Sequence, residues 1–227
     1  MNQIRRILIT RPKGSFQKLK DWCDKNNIDL ICQPFIETKS RDIQTLPQTD
    51  WIFFSSPNCV RHYMTHYATE NKKIAVLGMG TARVLRDYSI EPDFIGPPDA
   101  NPTDIGINFK AVIKENETVL FPISQRSKKT VIDVLPTDLV KAVIVYDTIF
   151  LKSQPISSAV DLALFTSPSN FEGYLKNNDA HTSTIWVAFG DTTAKVIREQ
   201  YPERTVHTLN KSAEAAFITF LEEIFSI

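Results

Sequence analysis

The chain has 227 residues, 42% hydrophobic and 23% charged, with 26 basic and 26 acidic side chains. That balance excludes a largely disordered chain and leaves no net basic field of the kind a nucleic-acid footprint needs. No run approaches the roughly 18 consecutive apolar residues of a membrane-spanning helix. Cys23, Cys32 and Cys59 are odd in number and include no CxxC pair, which predicts reduced, mostly buried thiols in a cytoplasmic protein.

In chain order, "MNQIRRILIT" has basic residues but a short apolar run, so it reads as a first strand around Ile7–Ile9 and not as a signal peptide. Phe16, Leu19 and Cys23 then recur at helical spacing, predicting a helix to about Asn26. Strands follow at Asp29 to Cys32 and Trp51 to Phe54. After Pro57, residues Val60, Tyr63, Met64 and Tyr67 fall on one helical face. Lys73 to Leu77 reads as a strand and Thr81 to Asp87 as a helix. "IGPPDANPTD", from Ile95, is a turn-rich connector in which Asn101-Pro102-Thr103 starts a helix. Val119 to Phe121 and Ala142 to Val145 are further strands, with a helix predicted over Lys128 to Leu135. The last third alternates again: strand Leu162 to Phe165, helix Ser169 to Lys176, strand Ile185 to Phe189, helix Thr192 to Gln200. A final helix carries Ala213, Ala216, Phe217, Phe220, Leu221 and Ile224 on one face. Such alternation predicts parallel sheets covered by helices.

Two stretches match each other. With a shift of 111, Phe54, Ser56, Pro57 and Tyr63 fall on Phe165, Ser167, Pro168 and Tyr174. With a shift of 112, Gly78, Thr81, Ala82, Leu85 and Arg86 fall on Gly190, Thr193, Ala194, Ile197 and Arg198. Two strand–turn–helix units at nearly equal shifts predict two similar α/β units in one chain.

Each unit has a strand ending in Ser/Thr-Ser-Pro and a second strand ending in Gly-x-x-Thr-Ala. Proline suits the first helical turn and the hydroxyl before it suits a cap. Free N–H groups at helix starts favour anions, and ligands of open parallel sheets sit at the carboxyl ends of the strands. Four anion-ready turns lining one cleft is therefore the functional expectation; the plainer alternative is that the hydroxyls only cap helices. There is no GxxxxGK[ST] and no GxGxxG.

At these residues the chain resembles the uroporphyrinogen-III synthase family. "ILITRP", "FFSSPNCV" with "LFTSPSNF", "VLGMGTA" with "AFGDTTA", and "VIVYDT" carry the resemblance in order. It implies two open parallel-sheet, flavodoxin-like α/β lobes joined by a two-stranded linker. One lobe would be discontinuous, 1–36 with 153–227; the inserted lobe would span 49–140; the linker strands would lie in 37–48 and 141–152. It also implies a substrate, hydroxymethylbilane, a linear tetrapyrrole with eight carboxylates, closed with loss of water and inversion of the terminal pyrrole. No cofactor is implied. The expected protein is a cytoplasmic monomer without nucleic-acid or membrane partners, at most in transient contact with the enzyme preceding it in the pathway. Holding a floppy polyanion so that its ends meet contributes up to ~7–11 kcal/mol.

By resemblance, Tyr146 in "VYxT" assists departure of the substrate hydroxyl; a phenol titrates near ~10 and is protonated at neutral pH. A strand tyrosine that merely packs is the alternative. Ser55, Ser56, Thr81, Ser167, Thr192 and Thr193 match the family's cleft turns and would hold carboxylates. Arg11 would pair with one bidentately. Arg126 falls where the family has a glycine-containing turn followed by arginine, but Ser124-Gln125 stands where the glycine is expected. His62 and His66 are four apart, as a metal pair could be, yet they lie off the apolar face and no third ligand is evident. A solvated helix face is expected there, and no metal. Ser127-Lys128-Lys129 reads as a charged surface, and no cysteine has a base partner nearby. A two-lobed binding or regulatory module for an anionic small molecule, without chemistry, remains the rival function.

Overall fold

A computed structural model describes residues 4–69, 71–152, 155–156, 159–179, 183–209, 211 and 213–225. Residues 1–3 of the opening stretch and 153–154, where the expected discontinuous lobe resumes, lie outside them. The chain divides into two compact units, Met1–Glu37 with Ile149–Ile227, and Thr38–Thr148.

The discontinuous unit contains β1 (Arg6–Ile9), α1 (Gln17–Lys25), β2 (Asp29–Cys32), then β9 (Leu162–Phe165), α5 (Pro168–Leu175), β10 (Ile185–Ala188), α6 (Asp191–Gln200), β11 (Val206–Thr208) and α7 (Glu214–Phe225). The intervening part of the chain carries β3 (Ile36–Ser40), β4 (Trp51–Phe54), α2 (Pro57–Met64), β5 (Lys73–Val76), α3 (Met79–Arg86), β6 (Phe94–Ile95), α4 (Pro102–Lys110), β7 (Val119–Ser124) and β8 (Val140–Phe150).

The first sheet has the order β11-β10-β9-β1-β2, all parallel. Numbered along the chain this is 2-1-3-4-5, the flavodoxin order. The second sheet has the order β3-β8-β7-β4-β5-β6, and its β8-β7-β4-β5-β6 portion is parallel throughout. The repeat pairs β4 with β9 and β5 with β10, and on that pairing the five strands match in space: β8-β7-β4-β5-β6 against β2-β1-β9-β10-β11. The second unit is thus a circular permutant of the first. The chain enters one unit at the strand equivalent to β7 and the other at β4.

Why the strands are buried on both sides is visible in their alternation. Ile7, Ile9, Leu162 and Leu164 pack with Leu19, Cys23, Phe217 and Leu221 under α1 and α7. Leu8, Ala163 and Phe165 point the other way, to Phe171, Trp186 and Ala194 under α5 and α6. In the second unit Ile52, Phe54, Ile74 and Val76 meet Val60, Tyr63 and Leu85 of α2 and α3, whereas Trp51, Phe53, Ala75 and Phe121 meet Ile105 and Phe109 of α4. Period-2 alternation with apolar residues on both faces is the signature of a covered parallel sheet.

The helix expected over 128–135 is not formed; only a 3-10 turn at Ile132–Val134 is present. Pro136 disfavours helical geometry at the residue before it, and Leu135 is extended, with φ −95° and ψ 153°. The helix foreshadowed at Asn101 does form, with Asn101 Oδ1 accepting the N–H groups of Thr103 and Asp104 at 2.9 and 3.0 Å.

Where the chain leaves the discontinuous unit, α5 and the turn after it hold both strands of chain. The Phe35 N–H donates to buried Asn170 Oδ1 at 3.0 Å, Leu151 N–H donates to the Phe35 carbonyl at 3.0 Å, and Asn177 Nδ2 donates to the Leu151 carbonyl at 3.2 Å. Gly173 permits this approach, since a Cβ there would lie 2.6 Å from the Phe35 carbonyl oxygen.

Candidate active site

In the unit Thr38–Thr148, the chemistry-bearing residues gather at the carboxyl ends of β4, β5 and β7. Ser56 is the cap of α2, its Oγ accepting the Cys59 N–H at 3.3 Å, with Pro57 at the first helical position. The same hydroxyl donates to Cys59 Sγ at 3.1 Å, and Ser55 Oγ lies 3.7 Å from that sulfur. Cys59 is fully buried, and burial pushes its thiol up. It is an inert acceptor beneath the turn and not a nucleophile.

Tyr146 reaches this cluster because β8 is bulged. The β7–β8 register runs Ile123 to Ile144 and then jumps to Ser124 opposite Tyr146. The extra residue puts Val145 and Tyr146 on one face, both packing with the α2–α3 core; strict alternation would have sent Tyr146 to the α4 face with Ile144. Tyr146 is only 7% exposed. Burial is the main reason its phenol titrates higher than usual, with Cys59 adding to the effect, while hydrogen bonds with Ser124 and Ser56 pull the other way. At neutral pH the group is a hydrogen-bond donor.

The turn after β7 closes without glycine. Ser124 N–H donates to Ser127 Oγ at 2.9 Å, the Ser124 and Ser127 hydroxyls are 3.0 Å apart, and Arg126 N–H donates to Ser124 Oγ at 3.2 Å. Serine hydroxyls thus supply the turn that the family pattern assigns to a glycine. Among the described residues, positive φ outside glycine occurs only at Asn27, Ser89 and Asn116, so this turn is unstrained. Arg126 is exposed beside it. The turn after β5 opens α3 with Gly78 as cap. Thr81 is 4% exposed and its N–H donates to the Gly78 carbonyl at 3.0 Å, so its side chain packs beneath the turn.

The other unit repeats the arrangement. Ser167 caps α5, accepting the Asn170 N–H at 3.2 Å. Gly190 caps α6, with Thr193 N–H donating to its carbonyl at 3.0 Å and the Thr193 side chain buried to 4% exposure. Thr192 is exposed. Thr166, Ser167, Phe189, Gly190, Asp191 and Thr192 are among the residues around a recess of about 360 Å³. At the strand-order reversal, Thr10 and Thr166 bind each other: Thr166 N–H donates to Thr10 Oγ1 at 2.9 Å and Thr166 Oγ1 to the Thr10 carbonyl at 3.0 Å. The Arg11 guanidinium lies 5.5 and 5.3 Å from the Phe16 and Phe189 ring centres.

Arg11, Ser167, Thr192 and Thr193 therefore belong to one unit, and Ser55, Ser56, Thr81, Arg126 and Tyr146 to the other. The two turn sets differ in charge. Asp191 stands first in α6, whereas its repeat equivalent is Met79, 42% exposed. Among the described residues no cluster of three or more His, Cys, Asp or Glu could hold a metal, and no helix is long and apolar enough to cross a membrane.

Residues 17–210 match the family model described as Uroporphyrinogen-III synthase HemD. The chain belongs to the uroporphyrinogen-III synthase family. A protein of Methanocaldococcus jannaschii named "Putative uroporphyrinogen-III synthase" is 28% identical over 214 residues, 86% of this chain and 89% of that one. The uroporphyrinogen-III synthetase structure from Helicobacter pylori superposes with a TM-score of 0.67 at 15% identity, covering 97% of this chain and 100% of that one. A variant uroporphyrinogen III synthase structure from Thermus thermophilus gives 0.61 at 13% identity, over 98% and 100%. At such identities these structures establish the shared two-lobed α/β fold.

His62, Ser124, Cys59 and Thr10, to which the sequence alone assigns no site role, join the predicted turns in the structure. The expectation that His62 sits on a solvated face is corrected: its ring stacks on Tyr146, with centroids 4.5 Å apart. Its periodic position marks it as off the main apolar stripe, and only the neighbouring strands, invisible to helical periodicity, cover it. Cys59 was within reach, being three residues after the capping Ser56.

Proposed function

We infer that this protein is a uroporphyrinogen-III synthase, closing hydroxymethylbilane with loss of water and inversion of the terminal pyrrole. The observation that carries this is the family match over residues 17–210. Tyr146 is the proposed donor to the departing hydroxyl. Its phenol is nearly enclosed and held above its ordinary pKa, which suits hydrogen-bond assistance better than full proton transfer. The pyrrole nitrogen supplies the electron pair that expels the hydroxyl, leaving an azafulvenium cation. The substituted α-carbon of the terminal ring attacks that cation to form a spirocyclic intermediate. The old bond from this carbon to the neighbouring methylene then breaks, regenerating a cation at the methylene. The free α-carbon of the terminal ring captures it and loses its proton, so that the ring closes inverted and hydroxide and proton leave together as water.

The turns at Ser55-Ser56, Gly78–Thr81 and Ser124–Arg126, and those at Arg11, Ser167 and Gly190–Thr193, are the proposed carboxylate holders. Helix-start N–H groups bind anions without bringing net charge, consistent with a chain of zero formal charge. Because the Ser56 and Ser167 oxygens are engaged as caps and Thr81 and Thr193 are buried, backbone N–H groups, Ser55, Thr192 and the two arginines are the better-disposed donors. The protein is proposed to act as a cytoplasmic monomer without a cofactor.

Purified protein supplied with hydroxymethylbilane is expected to give the type III isomer faster than the spontaneous type I product forms. Type I product alone, at the uncatalysed rate, would leave a binding or regulatory module as the better reading.

A further inference from the structure

We propose that His62 is a positioning residue for Tyr146, fixing the plane of the phenol ring by a braced stack. The inference rests on the reading of Tyr146 as the assisting donor. Three elements meet at this point. The β8 bulge turns Tyr146 toward α2, α2 presents His62, and β3 supplies the brace. The His62 and Tyr146 rings are 4.5 Å apart with planes 16° from parallel. His62 Nδ1 lies 2.7 Å from Ser40 Oγ and Nε2 lies 2.8 Å from Thr38 Oγ1. Thr38 and Ser40 are two apart on one strand and so share a face.

Both ring nitrogens are thereby occupied. A neutral imidazole donates from one nitrogen and accepts at the other, and two hydroxyls complement either tautomer. The ring has no nitrogen left for acid–base work on a substrate, and it cannot rotate without breaking both bonds. What it offers Tyr146 is a fixed flat surface. The far end of the phenol is close enough to Ser56, Cys59 and Ser124 for them to influence its titration. The stack on a braced imidazole fixes the plane of the phenol ring and with it the direction of the phenolic O–H. Burial is the first cause lowering the His62 pKa, followed by His66 and Arg61, so at neutral pH no extra cation stands against the phenol.

The test is a double-mutant cycle in hydroxymethylbilane turnover. His62→Ala is expected to lower kcat about tenfold with KM within about twofold, since misplacing a reacting group raises the barrier without weakening ground-state binding. In a Tyr146→Phe background it should add nothing, because the ring it orients no longer carries the hydroxyl. His62→Phe, which keeps a stacking ring, should restore most of the loss. Thr38→Val with Ser40→Ala removes the brace and keeps the imidazole, and should lower kcat roughly threefold even if His62→Ala folds poorly.

A merely structural His62 would depress turnover equally in both backgrounds; equal losses, or an unchanged kcat in His62→Ala, overturn the proposal. Full turnover in Tyr146→Phe alone would instead remove the role of Tyr146. Placement is then read from the Tyr146 ring-proton shifts, which should move when His62 is replaced by Ala; unmoved shifts overturn it.

Discussion

Tyr146 and His62 lie face to face, 4.5 Å between ring centres, although one is on a strand and the other on a helix 84 positions earlier. The contact depends on one extra residue in β8, because the bulge at Ile123/Ser124 brings Tyr146 to the α2 side of the sheet. It has a measurable pH signature. The His62 pKa is lowered in the folded protein from an ordinary value of 6.5. Between the two values the unfolded chain binds the proton and the native one does not, so stability rises with pH in that window. Folding stability should therefore decline as pH falls below about 6.5, and His62→Phe should flatten that decline in denaturant titrations. An unchanged slope would mean that His62 titrates as it does in the unfolded chain.

The paired serines of the β4 turn separate by role. Ser56 caps α2 and Ser55 does not. Ser56→Ala should cost about 1 kcal/mol, a fall in Tm of roughly 2–4 °C for a chain of this size. Ser167→Ala should behave alike, losing in addition its bond from Asn170 Nδ2 at 3.2 Å. Ser55→Ala should leave Tm unchanged and raise KM. Equal thermal losses in Ser55→Ala and Ser56→Ala would contradict the division.

Asp191 and Met79 occupy equivalent first positions of α6 and α3. An acidic side chain at a helix start complements the dipole but repels an arriving carboxylate. Asp191→Asn should lower KM severalfold at low ionic strength, with the gain fading as salt is added. A raised KM would indicate that Asp191 holds a cationic or N–H part of the substrate.

Much of the fold was legible because it follows from local rules. The strand Leu162–Phe165 is an unbroken apolar run, and its bounds agree with expectation; Asn101 announces α4 through its capping geometry. The repeat also identified equivalent turns in both units. What sequence could not disclose depends on strand pairing. Nothing in "VIVYDT" signals a bulge, so the face of Tyr146 was open, and with it the company of His62. The predicted helix over 128–135 shrinks to a 3-10 turn because Pro136 holds Leu135 extended. Cys59 and Asn170, equivalent in the repeat, diverge in use: one takes the Ser56 hydroxyl beneath the Tyr146 phenol, the other holds the Phe35 backbone.

Glu117 ties the base of the second sheet. Its carboxylate accepts from Lys73 Nζ, from Trp51 Nε1 at 2.7 Å and from the Lys114 N–H at 3.1 Å, and with Lys73 as the leading cause its pKa falls to about 2. A depressed carboxylate contributes its stability above the ordinary value of 4.5, and that contribution is lost as pH drops through about 2. Glu117→Gln should cost about 1–2 kcal/mol at neutral pH and should weaken the acid sensitivity between those values. An acid-unfolding profile identical to that of the unmodified protein would exclude this role.

The central claim is tested most directly by resolving the isomers formed from hydroxymethylbilane by the unmodified protein and by Tyr146→Phe. The account predicts type III product from both, with kcat in Tyr146→Phe reduced about 10- to 100-fold, since the lost hydrogen bond slows departure of the hydroxyl while the turns that hold the chain ends still direct ring inversion. Type I product alone from the unmodified protein, at the spontaneous rate, would contradict it.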